Sequence, residues 1–239
     1  MTIAVAKALF LSGCDEEKLK GLVVTCMKAV ALAHPKTGWG GRFYKWLFHE
    51  RVSLPYNSYG NGAGMRISPV GWVADSEDEV KRLSKIVTEV SHNHPEGLKG
   101  AEAVAMGVYL ARTGADKAEI RRRLAEYYPR LNDPSFCIKN LQGNYGYDEA
   151  GDWVTCQGSI PQAIVAFLDG ENFEDVIRNA VCIGGDSDTI GAMAGSIAEA
   201  YYGVPIEMED KAMEYLTSDL KTVYYAFEGI KRKRVKRSS

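Results

Sequence analysis

The stretch CIGGDSDTIGAMAG, residues 182–195, places two glycines and two aspartates directly before a run of small and apolar side chains. From Thr189 onward the apolar residues recur every three to four positions, which is the spacing of a helix with one buried face. The members of this stripe are Ile190, Met193, Ala194, Ile197 and Ala198. Gly191 and Gly195 would let a second helix approach closely. The stretch therefore predicts a buried helix that carries two carboxylates at its amino end.

The same helical spacing recurs along the chain, whereas the alternation expected of strands is almost absent. We therefore expect an all-α fold. The predicted helices cover residues 1–12, 16–33, 76–92, 100–112, 116–127, 161–168, 173–182, 189–201 and 210–227. No internal repeat or proline-rich linker divides the chain, so we expect one domain over residues 1–230, followed by a basic tail at residues 231–239.

Composition excludes several classes of protein. The chain has 239 residues, of which 46% are hydrophobic and 25% charged, and this is typical of a globular domain with a sizeable core. No apolar run approaches the ~20 residues that a bilayer crossing needs, so no membrane partner is expected. The five cysteines include no CxxC pair. Reduced thiols of this kind indicate a cytoplasmic protein.

Basic residues are concentrated at the carboxyl end of the chain. The run KRKRVKR, residues 231–237, holds six of the 29 lysines and arginines. Such a run binds nucleic acid, serves as an import signal or is a solvated, frayed end. We favour the frayed end, because terminal residues are ordered only when something holds them. The remaining chain is acidic, so no nucleic-acid partner is expected for the domain.

The two aspartates of the opening stretch are candidate metal ligands. Asp186 and Asp188 lie two residues apart and Thr189 follows directly, so that three side-chain oxygens can face one centre. Oxygen ligands suit a hard cation such as magnesium, manganese or calcium better than zinc. The alternative is that Asp188 caps the helix and Asp186 is solvated. The glycines before the aspartates and the threonine after them favour a metal site.

Two further segments carry candidate ligand-binding residues. In NSYGNGAGMR, residues 57–66, three glycines leave a backbone whose successive N–H groups suit phosphate oxygens, although a tight turn before a helix would look the same. In SHNHPEG, residues 91–97, no partner spacing supports zinc, so a hydrogen-bonding histidine at a pocket edge is the preferred interpretation. Candidate stacking surfaces for a nucleobase or sugar are Tyr56, Tyr59, Tyr145, Tyr147 and Trp153.

Four blocks of sequence occur in a fixed order along the chain. They are SYGNG with MR and PVG in residues 58–71, SHNHP in residues 91–95, GSIPQA in residues 158–163 and GGDSDTIG in residues 184–191. Together these blocks resemble the ADP-ribosylglycohydrolase family, which includes the dinitrogen-reductase-activating glycohydrolases. The resemblance spans about residues 1–203. It implies an all-α, orthogonally packed fold and hydrolysis of the glycosidic bond between ADP-ribose and a modified protein side chain, or of a related ADP-ribose compound.

The resemblance also implies roles for individual residues. The family uses a two-metal centre, usually of magnesium or manganese, to hold the ribose hydroxyls and a water molecule. Asp186, Asp188 and Thr189 correspond to metal ligands, and the two aspartates are thereby implied in catalysis. The family's loop around the diphosphate and ribose corresponds to Ser58, Tyr59, Gly60, Asn61 and Gly62. His92 corresponds to a ligand-contacting histidine, and Ile160 to a residue that lines the adenosine pocket.

One part of the family's pattern has no counterpart in the sequence. The pattern begins with a Gly-Asp segment and a Thr-Asp-Asp motif, directly before a helix that is similar to residues 1–11. Here the sequence starts with that helix, so we expect an N-terminally shortened fold with half of the metal ligands. Two aspartates and a threonine would then hold at most one magnesium or manganese ion, weakly. Hydrolysis is accordingly expected to be absent or severely reduced.

The sequence leaves three explanations of this shortening open. The chain is a shortened version of a working hydrolase, or a natural short form that binds ADP-ribose or a nucleotide without hydrolysing it, or it takes the missing ligands from a partner chain or another acidic loop. A scaffold without any ligand is disfavoured, because the glycine-rich loop is intact. The sequence names neither the ADP-ribosyl linkage nor the oligomeric state, and association through an exposed apolar patch is one possibility.

Overall fold

The computed structural model describes residues 1–50, 53–143 and 153–238, with side chains as far as Lys231. Every regular element of these residues is a helix, so the predicted all-α class is confirmed. The α-helices are α1 (Thr2–Ser12), α2 (Glu16–Ala33), α3 (Gly41–Phe48), α4 (Gly62–Met65), α5 (Ser68–Val73), α6 (Glu77–Glu89), α7 (Pro95–Arg112), α8 (Lys117–Leu124), α9 (Ile138–Leu141), α10 (Cys156–Asp169), α11 (Phe173–Ile183), α12 (Ser187–Tyr202), α13 (Ile206–Glu214) and α14 (Ser218–Ser238). A short 3-10 helix covers Pro129–Asn132.

Several helices begin where a polar side chain accepts a hydrogen bond from a backbone N–H of the first turn. Such a cap satisfies an amide that has no partner inside the helix. The capping residues are Asp15 for α2, Ser76 for α6, His94 for α7, Asp116 for α8, Thr155 for α10 and Asn172 for α11. These caps explain why the predicted starts near residues 16, 76, 116 and 173 agree with the structure to within one or two residues.

The differences from the predicted helices are four short helices, one interrupted helix and two early starts. Helices α7 and α10 begin at Pro95 and Cys156, five residues before the predicted starts at 100 and 161. Helices α3, α4, α5 and α9 were not predicted, because helices of four to eight residues are too short to show a clear apolar period. The predicted helix at residues 210–227 is two helices, α13 and α14. Between them Thr217 donates its hydroxyl to the Asp219 carboxylate at the start of α14.

Helix α7 lies at the centre of the core and packs against α4, α5, α6, α10 and α12. Small residues allow these close approaches. A Cβ at Gly71 of α5 would lie 2.5 Å from the Ala105 backbone oxygen of α7, and one at Gly100 would lie 2.4 Å from Ile160 of α10. The glycines are therefore required for α5 and α10 to pack on α7.

Helix α12 packs against α10, α11 and α7, and its predicted apolar stripe is buried. Gly195 meets α11, since a Cβ there would lie 2.9 Å from Ile177. A Cβ at Gly191 would meet nothing within 4 Å among the described residues, so only one of the two glycines serves the close approach that their spacing predicts.

The carboxyl end of the described chain is helical, and the first residue of its basic run packs against the domain. Helix α14 continues through the basic run to Ser238. Lys231, the first residue of that run, is buried and pairs with Glu199 of α12 and Glu228 of α14, while its ammonium also lies over the Trp72 ring at 4.5 Å. Lys231 is thus packed where a solvated, frayed end was expected, because two carboxylates and an aromatic face compensate the burial of its charge.

Within the described residues, none of the helices combines the length and the hydropathy needed to span a membrane.

Candidate functional site

The acidic turn, residues 184–189, connects α11 to α12. Its two glycines both have positive φ, 90° at Gly184 and 64° at Gly185, in the region that other residues adopt only with strain. The double glycine thus has a conformational reason, since it turns the chain sharply out of α11. The turn delivers Asp186 to the position just before α12 and Asp188 to its first turn.

Neither aspartate acts as a conventional helix cap. Asp186 occupies the capping position, but its side chain accepts no hydrogen bond from the described amides of the first turn. The Asp188 carboxylate accepts from the adjacent Thr189 amide, at 2.9 Å, which is a contact within its own segment and not a cap. The alternative from the sequence was that Asp188 caps the helix and Asp186 is solvated. The structure shows no such cap, and Asp186 accepts a hydrogen bond from Asn61.

The two carboxylates of the acidic turn lie close enough to interact. Asp186 is half-buried and Asp188 is exposed. Burial and the adjacent Asp188 together raise the pKa of the Asp186 carboxyl above its ordinary value, although hydrogen bonds from Asn61 and Thr189 oppose this. Two carboxylates that interact this closely repel each other, and the repulsion falls when one takes up a proton or when a cation binds between them. The Thr189 side chain interacts with the Asp186 carboxylate, and its hydroxyl lies 3.9 Å from Met65 Sδ.

Asn61 connects the acidic turn to the glycine-rich loop, residues 57–62. Its Nδ2 donates to Ser159 Oγ of α10 at 2.9 Å and to the Asp186 carboxylate. Its backbone N–H donates to the Val154 carbonyl at 2.8 Å. Asn61 is buried, so these bonds fix the amide in one orientation. Ser159 lies within one of the sequence blocks but was given no role, because nothing local to it reveals a partner 98 residues away.

The glycine-rich loop is held along its length by backbone contacts. The Cys156 N–H donates to the Tyr59 carbonyl at 2.8 Å, and the Gly60 N–H donates to Ser58 Oγ at 3.2 Å. Some of the backbone N–H groups that were predicted to bind phosphate oxygens therefore donate to other protein atoms instead. The amides of Tyr59 and Gly62 have no acceptor among the described residues.

The two histidines of the SHNHP block have different roles. His94 caps α7 by accepting from the Glu96 N–H at 3.1 Å, and its ring packs against Tyr59. His92 instead lies under the glycine-rich loop, where a Cβ at either Gly60 or Gly62 would come within 3.7 Å of its Nε2. The structure therefore directs the His92 ring to the glycines of the loop, whereas His94 contacts the loop through the Tyr59 ring.

His92 belongs to a buried basic cluster that consists of Arg66, Ser91 and His92. Arg66 Nη2 donates to Ser91 Oγ at 2.8 Å and lies 3.4 Å from His92 Nδ1, while Ser91 Oγ lies 2.8 Å from the same Nδ1. Burial and the Arg66 charge lower the pKa of His92 to about 2, and burial lowers the pKa of Arg66 to about 10. At neutral pH the histidine is therefore neutral and the arginine charged.

Ile160 is not part of the exposed site. Its side chain is fully buried beneath the loop, and a Cβ at Gly64 would lie 3.1 Å from its Cδ1. It supports α4 from below. Among the candidate stacking residues, Tyr59 and Trp153 keep about two fifths of their surface exposed, at 39% and 40%. Tyr56 is half-buried with Arg42 over its ring, and Tyr145 and Tyr147 lie outside the described residues.

The donor set of the acidic turn fits part of a divalent cation's coordination shell. Asp186, Asp188 and Thr189 provide only oxygens, which is the chemistry that magnesium and manganese prefer. Among the described residues no cluster of three or more histidine, cysteine or acidic side chains could hold a metal. A divalent cation at the turn would therefore need further ligands from water, substrate or other residues.

A separate hollow of about 650 Å³ lies beside α3, away from the predicted site residues. It is lined by Trp39, Gly41, Tyr44, Lys45, His49 and Glu50.

The sequence profile of the ADP-ribosylglycohydrolase family matches residues 1–223. The chain belongs to the ADP-ribosylglycohydrolase family. Family membership agrees with the resemblance found in the four sequence blocks, and three of those blocks carry the residues that meet around Asn61: the glycine-rich loop, Ser159 and Asp186.

Individual relatives of this ADP-ribosylglycohydrolase-family chain include two with named activities. It is 26% identical to human ADP-ribosylhydrolase ARH3 over 204 residues, which cover 68% of this chain and 56% of the human protein. It is 28% identical over 150 residues to ADP-ribosylarginine hydrolase Tri1 of Pseudomonas putida, covering 61% and 39% of the two chains. The chain spans about half the length of the curated relatives it matches.

A solved structure described as an ADP-ribosylglycohydrolase-related protein complex has the same fold. The TM-score is 0.64 at 22% identity, and the superposition covers 96% of this chain and 79% of the other. The likeness establishes the fold of this family for almost the whole of the chain.

Proposed function

We propose that this chain binds the ADP-ribose group of a modified protein, or of a related compound, between the glycine-rich loop and the acidic turn. The observation that supports this most directly is the amide of Asn61, which joins the two segments through its bonds to Ser159 and Asp186. The relatives named above act on ADP-ribosyl groups, which makes ADP-ribose the first ligand to test.

The charges of the two segments suit the two ends of such a ligand. The amides of Tyr59 and Gly62, which have no acceptor among the described residues, and the Arg66 charge below the loop favour an anion. The diphosphate is the anionic part of ADP-ribose. The carboxylates of the acidic turn favour a cation. A divalent ion held there by Asp186, Asp188 and Thr189 would supply Lewis-acid stabilisation near the anomeric centre.

We further propose that the activity is hydrolysis of the glycosidic bond between ADP-ribose and a side chain, with Asp186 and Asp188 as the catalytic carboxylates and magnesium or manganese as the metal. The second candidate is binding without hydrolysis. It is favoured by one observation, that the described residues provide two carboxylates and no third acidic ligand beside them. Cys26, Cys137, Cys156 and Cys182 are free thiols, which suits a cytoplasmic location.

Calorimetric titration separates these proposals. We expect ADP-ribose to bind the wild-type chain, and Asn61→Ala to weaken that binding at least tenfold because the loop and turn are no longer joined. Asn132→Ala, at an exposed asparagine of the 3-10 helix, is the matched control. Equal affinities for wild type and Asn61→Ala would remove the loop from the binding site, and no binding by the wild type would contradict the proposed function.

The same titrations with magnesium, manganese and a chelator distinguish hydrolase from binding module. Binding that survives chelation, with no product from arginine- or serine-linked ADP-ribosyl peptides, indicates the module. Release of ADP-ribose that requires the metal indicates the hydrolase. Two tight metal sites on this chain would contradict the prediction of at most one weakly held ion.

A further inference from the structure

Arg66 is buried and has no carboxylate partner among the residues that the structure describes. It is 1% exposed, and its Nε has no hydrogen-bond partner in the same part of the chain. Its side-chain contacts are the hydrogen bond to Ser91, the approach to His92 and the Phe43 ring 5.6 Å away. A buried charge without a counter-charge is costly, so a chain that keeps one has a use for the charge in that place.

The hydrogen-bond directions in the buried basic cluster follow from the chemistry of the guanidinium. Arg66 can only donate, so Ser91 Oγ is the acceptor in their 2.8 Å bond. The Ser91 hydroxyl hydrogen is then free to donate to His92 Nδ1, which lies 2.8 Å away. A proton on Nδ1 would instead face an Arg66 N–H at 3.4 Å. Arg66 therefore requires a lone pair on Nδ1, and the Ser91 hydroxyl, which can donate or accept, donates to that lone pair.

A neutral imidazole with a lone pair on Nδ1 carries its hydrogen on Nε2. His92 Nε2 faces the glycine-rich loop, close to Gly60 and Gly62, and no described residue accepts a hydrogen bond from it. The Nε2 hydrogen is consequently directed to the segment where the proposed function places the ligand.

We propose that Arg66 and Ser91 are positioning residues that hold His92 in its Nε2–H tautomer, so that His92 donates a hydrogen bond to an oxygen of the bound ADP-ribose group. The inference rests on the proposed function for the identity of the ligand. In this arrangement His92 is a fixed donor and takes no part in proton transfer. Its contribution to binding is constant across the pH range in which an ordinary histidine titrates.

The tautomer can be read directly from the nitrogen resonances of the chain labelled with ¹⁵N-histidine. The chain has four histidines, and the His92 signals are assigned by their loss in His92→Gln. We expect a protonated Nε2 and an unprotonated Nδ1, unchanged between pH 5.5 and 8. Ser91→Ala removes the donor to Nδ1, so a fraction of His92 is expected to move its hydrogen to Nδ1.

Binding provides the second readout. We expect Ser91→Ala to weaken ADP-ribose binding about tenfold, the equivalent of one hydrogen bond. His92→Gln, which keeps an N–H donor near the Nε2 position, should retain more affinity than His92→Leu, which keeps none. Ser84→Ala is the matched control, because Ser84 is also buried but its hydroxyl has no hydrogen-bond partner among the described residues.

The outcomes separate the inference from the proposed function. A wild-type His92 that carries its hydrogen on Nδ1, or is protonated on both nitrogens at pH 7, overturns the inference even when ADP-ribose binds normally. The inference is also overturned if Ser91→Ala and Ser84→Ala are alike in both readouts. If the wild type binds no ADP-ribose, the proposed function and the donation to ligand both fail, while the spectra of the wild type and Ser91→Ala still report whether Ser91 helps to set the tautomer.

Discussion

The acidic turn and the buried basic cluster meet at the glycine-rich loop, and they differ in both charge and burial. The acidic turn brings two like charges together at the surface, with Asp188 exposed and Asp186 half-buried. The buried basic cluster places a single positive charge, that of Arg66, where no described carboxylate pairs with it. In the acidic turn two negative charges repel each other near solvent, whereas the buried basic cluster encloses one positive charge that no described carboxylate neutralises.

This difference indicates how each region interacts with its surroundings. Charges at the surface exchange counter-ions with solvent, so the acidic turn is the region where the proposed cation would bind. A buried charge has no such exchange, and Arg66 acts mainly on the groups it touches, Ser91 and His92. Asn61 joins the acidic turn to the glycine-rich loop, which lies over the buried basic cluster.

Removing the side-chain amide of Asn61, which joins the acidic turn to the glycine-rich loop, should have the largest effect on stability. Asn61→Ala removes a buried amide that donates to both Ser159 and Asp186. We expect the free energy of unfolding to fall by about 1–3 kcal/mol, because buried partners lose their bonds. Urea denaturation measures this. Ser159→Ala removes one of the two bonds, together with the bond that its hydroxyl donates to the Trp153 carbonyl at 2.8 Å, and should also lower the stability. An unchanged stability in Asn61→Ala would mean that the two bonds of its amide contribute nothing.

The buried basic cluster should make the free energy of unfolding depend on pH through His92. The pKa of His92 is lowered from 6.5 to about 2 by burial and by Arg66, while Tyr56 packs against the ring from the loop side. Below pH 6.5 the unfolded chain binds a proton that the folded chain does not. Stability present above pH 6.5 is therefore lost as the pH falls, by about 2 kcal/mol between about pH 7 and 5.

The matched comparison for this pH dependence uses two glutamine variants. His92→Gln should lose the His92 part of the slope, whereas His49→Gln, at an exposed histidine of the α3 end, should keep it. Denaturation curves at several pH values measure the slopes. Identical slopes for the wild type and His92→Gln would show that His92 is not held neutral.

Removing a charge from the acidic turn should raise the free energy of unfolding. Asp186→Asn relieves the repulsion with Asp188 while an amide oxygen can still accept from Asn61. We expect an increase of about 1 kcal/mol in the free energy of unfolding without metal, since residues at functional sites are often unfavourable for stability. Magnesium should stabilise the wild type but not the variant. Thermal unfolding with and without magnesium tests both points, and a variant less stable than the wild type would contradict the repulsion.

The smallest effects are expected at the glycines around the acidic turn. Gly185→Ala forces an alanine to a φ of 64° and should cost about 1 kcal/mol. Gly191→Ala, inside α12 with open space at its Cβ, should add about 0.5–1 kcal/mol through helix propensity. Paired thermal unfolding curves give both values. A stabilising Gly185→Ala would mean that the turn relaxes to a different conformation.

Sequence patterns predicted what is local and missed what depends on distant contacts. The apolar stripe of α12 and the capped helices α2, α6, α8 and α11 show their periods or caps in a few consecutive residues, and they were predicted within a few residues. The double glycine marked the acidic turn, although its positive φ values are visible only in the structure.

The site contacts that sequence reasoning missed join residues far apart along the chain. Asn61 and Asp186 are 125 residues apart, and Arg66 and Ser91 are 25 residues apart. Arg66 lies in a recognisable block, but arginines are mostly exposed, so no pattern distinguished this one as buried. Ile160 also lies in a recognisable block and its side chain packs into the core, so its role at an adenosine pocket stays a prediction.

The contacts of Lys231 have a practical consequence for anyone who shortens or tags this protein. The basic composition of residues 231–237 invites removal of that segment before expression. Cutting at residue 230 would delete the ammonium that joins Glu199 of α12 to Glu228 of α14, and leave two acidic groups without this counter-charge. Because α12 also carries the acidic turn, a version trimmed there could lose metal response for reasons unrelated to the turn itself. A truncation that keeps Lys231 avoids that ambiguity.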